Sequence, residues 1–109
     1  MNESAEVHIT QDHINKSQRL KNTLGAQYSP SCHCPTALAL QGHPHFHPTS
    51  VLVSHTEVRI EYQKDGHIPY LAILQLPRSV RKFISAYDLG EAVAPLSFVL
   101  GEILIETAL

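Results

Sequence analysis

The stretch Ser50-Val-Leu-Val-Ser-His-Thr-Glu-Val-Arg-Ile-Glu-Tyr-Gln-Lys-Asp-Gly-His-Ile-Pro-Tyr-Leu-Ala-Ile-Leu-Gln-Leu-Pro77 decides the fold. Asp65-Gly66 sits between two runs of β-branched, aromatic and aliphatic residues, a strong local signature of a hairpin. Within the first run the apolar positions change phase: Val51 and Val53 are odd, Val58, Ile60 and Tyr62 even. A bulge or break over Ser54 to Thr56 reconciles them. On the return run, a two-residue turn would set Pro69 against Tyr62 in a hydrogen-bonded pair that proline cannot complete. A four-residue loop, Lys64 to His67, is therefore predicted. That register joins Tyr62 to Pro69, Ile60 to Leu71 and Val58 to Ile73 on a core face. It leaves Glu57, Arg59 and Glu61 opposite Leu74, Ala72 and Tyr70 on the other.

C-terminal to the hairpin, Pro77 suits the first position of a helix, and Val80, Phe83, Ile84 and Tyr87 recur at helical spacing. The apolar residues from Ala92 to Leu104 continue a 3.6-residue period, so residues 78–108 are expected to be helical, although Ile103 and Ile105 also alternate as a strand would. N-terminal to the hairpin, Pro30, Pro35, Pro44 and Pro48 with Gly42 predict an irregular Pro/His-rich loop over residues 26–49, within which only Thr36 to Leu40 is apolar enough for a short helical turn or strand. Earlier still, Ile9, Thr10 and Ile14 fit a hydrophobic staple around an N-cap, and Gly25 fits a helix stop. Residues 1–8 are expected to be disordered. The fold class is thus α+β: one domain over residues 1–109, with a small antiparallel sheet built on the central hairpin (50–77) and packed against helices. A lone hairpin is marginal, so a further strand or a second copy, as in a homodimer, is expected to cover its apolar surface.

Composition narrows the function. Among 109 residues, 43% are hydrophobic and 17% charged, which excludes a disordered solvating segment. A net charge of −2 argues against nucleic acid as a partner. No apolar run is long enough for a membrane span, and the N-terminus lacks the layout of a secretory signal; a cytoplasmic protein is expected. Glycine-rich phosphate loops, nucleophile elbows and His-Glu-x-x-His helices are absent, so an enzyme is not the expected class.

Two constellations remain as candidate sites. The first is Cys32-His33-Cys34 with His43, His45 and His47, inside a region that holds six of the eight histidines between His33 and His67. Thiolate and imidazole are ligands for zinc or copper, and residues two apart on an extended segment share a side. Their spacing is not that of a standard zinc module, and the competing reading is an exposed histidine-rich loop with no cofactor. The second is basic: Arg78 and Arg81, beside Lys82 on one side of the helix after Pro77, with Arg59 on the strand. Guanidinium groups there would bind a small carboxylate or phosphate. The competing reading is a solvated helix side, with Arg59 neutralised by Glu57 and Glu61.

Glu57-Val-Arg-Ile, Asp65-Gly66, Pro69, Ala72, Leu76-Pro77, Pro95-Leu96 and Leu100 together resemble the middle of the chorismate lyase fold and the related UTRA effector domains of transcription regulators, over about half the chain. The resemblance implies an antiparallel sheet flanked by helices and a buried carboxylate ligand near Arg59. The lyases carry an acidic catalytic residue on a later strand than any expected here, so the activity implied is at most that of a truncated lyase-like enzyme. The leading expectation is a non-enzymatic binding or interaction module that recognises a protein partner or a small anionic ligand. The alternatives are metal binding through the Cys/His loop and the truncated lyase.

Overall fold

The structure, a computed structural model, describes residues 4–109. The Asp65-Gly66 turn is present. Both residues take left-handed φ, 53° and 81°, as the tight hairpin turn requires, and the His67 N–H donates to the Lys64 carbonyl. It joins β3 (Glu57–Lys64) to β4 (Ile68–Gln75). His67 adds one residue to the connection, so the loop has three residues and Lys64 pairs with Ile68. The predicted four-residue loop is thereby corrected, and the register moves by one. Tyr62 now faces Tyr70, Ile60 faces Ala72 and Val58 faces Leu74. A one-residue slip exchanges the faces of β4, so Ala72 and Leu74 line the core and Ile73, expected there, is only half-buried, while Leu71 is buried from the opposite face.

The phase change before β3 is a full break. β2 (Ser50–Val53) ends, Ser54 turns the chain by accepting from the Thr56 and Glu57 N–H groups, and β2 pairs back on β3 with Val51 opposite Ile60. A fourth strand, β6 (Ile103–Ala108), adds to the free side of β4, giving the order β2-β3-β4-β6. A second, two-stranded sheet pairs β1 (Ala5–Ile9) with β5 (Leu96–Leu100), Val7 lying opposite Phe98. All pairings are antiparallel.

Two expectations are overturned here. Residues 78–108 are helical only over α4 (Arg78–Asp88); residues 89–95 are irregular, and β5 and β6 take up most of the rest. Residues 1–8 include most of β1, whose alternating pattern buries Ala5, Val7 and Ile9. The part of that expectation falling on residues 1–3 lies outside the described residues.

Helix α1 (Gln11–Leu24) starts and stops as its sequence dictates, with Thr10 as N-cap and Gly25, at φ 55°, as C-cap. The cap is reciprocal. Thr10 Oγ1 accepts from the His13 N–H, and His13 Nδ1 accepts from the Thr10 N–H at 3.0 Å, an imidazole filling the role usually given to Glu or Gln. That bond needs an unprotonated Nδ1. Partial burial, the main cause, holds the His13 pKa below 6.5, with Lys16 adding to it and Asp12 opposing it. The folded state therefore binds fewer protons than the unfolded one. The stability it contributes is complete above the unfolded value and is lost as pH falls through the folded one. We expect melting temperature to drop on acidification from about pH 7 to about pH 5, by the equivalent of at most about 1 kcal/mol. His13→Gln, which keeps the cap, should flatten that part of the profile in thermal melts.

The region expected to be an irregular loop over residues 26–49 is mostly helical up to Gln41, because Pro30 and Pro35 begin helices instead of breaking them, whereas residues 42–49, with Pro44 and Pro48, are irregular as expected. Pro30 opens α2 (Pro30–His33), and Pro35 opens α3 (Pro35–Gln41), where the missing N–H costs nothing. Residues 35–40 of α3 are all buried. It packs against α1, β1 and β2. Helix α4 (Arg78–Asp88), capped at Pro77, contributes Val80, Phe83, Ile84 and Tyr87 to the same continuous core as α3 and both sheets. No helix among the described residues is long and apolar enough to cross a membrane.

Candidate functional site

On α4 the side turned away from the core carries Arg78, Arg81, Lys82 and Ser85. The i, i+3, i+4 spacing stacks the three cations on one side of the helix. The chain beyond α4 turns back, with the Glu91 N–H donating to the Ala86 carbonyl. This leaves a groove of about 390 Å³ lined by the three cations, Ser85, Leu89 and Glu91. Among the described residues none of the three cations lies within ion-pair distance of a carboxylate, Glu91 included. Arg81 Nε is buried without an acceptor. The groove thus offers two guanidinium groups and an ammonium above an apolar floor of Ala86 and Leu89. A planar oxyanion matches that fork.

Arg59 is not part of it. It is exposed on the outer face of the four-stranded sheet, opposite Leu52 and Ile73, and lines a separate hollow of about 220 Å³ with Ser31, Ser54 and Glu57. Neither Glu57 nor Glu61 pairs with it. The expected joint site of Arg59, Arg78 and Arg81 is therefore divided between two places. The structure does supply a carboxylate on a late strand, Glu106 of β6. Glu106 lies opposite Ala72 on the inner face, and its Oε2 accepts from the Tyr62 hydroxyl at 2.7 Å, whereas Arg59 occupies the outer face.

The Cys/His set does not converge; among the described residues no three His, Cys, Asp or Glu side chains are placed to hold a metal ion. Each has local employment. Cys34 is buried as the N-cap of α3, its sulfur accepting from the Ala37 N–H, and burial pushes its thiol up to about 11. Both nitrogens of His43 are engaged: Nε2–H donates to the Glu6 carbonyl and Nδ1 accepts from the His45 N–H. Phe46, buried, sits against the rings of His43 and His45. His47 takes a left-handed φ of 41°, which interrupts the extended geometry that would have put His43, His45 and His47 on one side. Cys32 is half-buried and free, and its carbonyl accepts from Gln41 Nε2.

One grouping was invisible in the sequence. Cys34, His55 and Asp88, from three separate segments, line one hollow of about 210 Å³, with His55 Nε2 and Asp88 Oδ2 3.5 Å apart. The thiol there is protonated near neutrality, so it lacks the thiolate that nucleophilic chemistry needs. No family model, curated protein or solved structure matches the chain.

Proposed function

We propose that this chain is a non-enzymatic binding module that holds a small anionic ligand, a carboxylate or a phosphate, in the groove beside α4. The observation that carries this reading is the placement of Arg78, Arg81 and Lys82 along one groove, with no carboxylate among the described residues within ion-pair distance of them. Guanidinium groups donate to carboxylate or phosphate oxygens in two-point contacts, and the neighbouring Lys82 adds a mobile point charge. Ala86 and Leu89 give an apolar surface for the body of an organic acid. Glu91 at the rim disfavours ligands that carry a second negative charge on that side. A cytoplasmic setting belongs to the reading and suits two free cysteines.

Isothermal titration with inorganic phosphate, an aliphatic carboxylate and an aromatic carboxylate tests it. At least one should bind, more weakly as salt is raised. Arg78→Gln or Arg81→Gln should each weaken that ligand by about ten- to a hundredfold, the loss of one charged hydrogen-bonding group. Arg59→Gln, in the other hollow, should leave affinity unchanged. Binding that survives the Arg78/Arg81 double substitution, or no binding across the series, overturns the proposal.

A further inference from the structure

The groove beside α4 is polarised along its length. Arg78, Arg81 and Lys82 fall in the first half of the helix, and Ala86 and Leu89 line the stretch that follows. Glu91 closes the far end. Its N–H donates to the Ala86 carbonyl at 3.0 Å, which fixes its backbone beside the last turn of α4. At a rise of about 1.5 Å per residue, the backbones that carry the cations stand about 6–12 Å from that turn along the axis. Helical side chains lean toward the N-terminus, which carries the guanidinium and ammonium groups further from Glu91. Glu91 is therefore exposed in the same groove and yet, among the described residues, its carboxylate makes no ion pair or hydrogen bond.

Resting on the anion site proposed above, we infer that the groove selects an ω-amino acid, an aliphatic chain with a carboxylate at one end and a primary ammonium at the other. The carboxylate takes the guanidinium groups of Arg78 and Arg81 with Lys82 beside them, the methylenes lie over Ala86 and Leu89, and the ammonium meets Glu91. A monocarboxylate leaves Glu91 without a counter-ion, and a dicarboxylate sets two like charges together there. An α-amino acid cannot join the two poles, because both of its charges sit at one end of the molecule. The dipole of α4 has the same sense, favouring an anion toward its N-terminal end and a cation toward its C-terminal end.

Heptanoate, pimelate and ω-aminohexanoate share one methylene chain and one carboxylate and differ only in the far group, which is a methyl, a second carboxylate or an ammonium. Isothermal titration of the full chain should rank them with ω-aminohexanoate tightest, heptanoate next and pimelate weakest, at about two- to fivefold between neighbours, the scale of an exposed ion pair. Norleucine, the isomer whose ammonium lies beside its carboxylate, should bind no better than heptanoate. Glu91→Gln should remove the preference for ω-aminohexanoate, and Glu91→Lys should make pimelate the tightest of the three. If heptanoate binds and ω-aminohexanoate binds no better, or if its advantage survives Glu91→Gln, the inference is overturned while the anion site stands. If none of the three binds, the inference falls, and the anion site falls with it only when phosphate and an aromatic carboxylate also fail to bind.

Discussion

Leu40→Ala should destabilise the protein by about 2–5 kcal/mol, the range for emptying a fully buried leucine site. Leu40 is 0% exposed and lies near the end of α3, a helix buried from Pro35 to Leu40 and wedged against α1, β1 and β2. A fully enclosed side chain on a helix held by three elements leaves a void that is hard to collapse, which places the loss in the upper part of that range. Against a total of about 5–15 kcal/mol for an ordinary domain, the variant would be close to unfolding at room temperature. Urea titration measures it: the midpoint should fall while the slope, which reports surface exposed, stays constant. Leu52→Ala is the control. Leu52 is 41% exposed on the outer face of β2, and its loss should stay within about 0.5 kcal/mol. The contrast also separates two pictures of residues 26–49. An irregular surface loop would tolerate Leu40→Ala as well as β2 tolerates Leu52→Ala.

That region shows why part of the fold was legible in the sequence and part was not. Local chemistry was readable where one residue type has one use. Thr10 as a cap, Gly25 as a stop, Asp65-Gly66 as a turn and the break after Val53 follow from backbone requirements that few other residues meet. Proline is ambiguous, because it ends one element or begins another, and Pro30 and Pro35 begin helices. Register was ambiguous for a different reason. Leu71-Ala-Ile-Leu74 is apolar at every position, so alternation cannot say which pair faces inward, and one extra loop residue, His67, decided it. At the C-terminus, Leu96, Val99, Leu100 and Ile103 fit a helical period while Leu96, Phe98 and Leu100 fit a strand. Pairing with β1, at the other end of the chain, settled the matter, and no local pattern records that. The candidate site divides along the same line. Arg78, Arg81 and Lys82 share a helix side by spacing alone and are found together. The joining of Arg59 to them, and of Cys32, Cys34, His43, His45 and His47 to each other, depended on tertiary placement and did not occur.

Ser17→Ala carries the second large effect, expected at about 1–3 kcal/mol, although the serine lies among polar helix residues and gives no sequence signal. Ser17 is 0% exposed on α1. Its Oγ accepts from the Tyr87 hydroxyl of α4 at 2.6 Å and lies 2.9 Å from the Tyr28 hydroxyl, which follows the 3-10 turn Gly25–Gln27. A hydroxyl has one proton and two lone pairs, so Ser17 can satisfy both phenols at once. Lys21, one turn along α1, sits 3.9 Å from the centre of the Tyr87 ring, and its charge closes the cluster on the solvent side. Removing Oγ takes a partner from both phenols and strands the buried one, Tyr87, at about 1–3 kcal/mol; Tyr28 is half-buried and adds less. The loss arises from the orphaned partners more than from the bond itself, and this gives a signature. Tyr87→Phe in the Ser17→Ala background should recover part of the lost stability, because it removes a donor that no longer has an acceptor. In the wild-type background the same substitution should destabilise. A double-mutant cycle by chemical denaturation reads the coupling directly, and a value near zero would mean that the three hydroxyls do not act as one connection between α1 and α4.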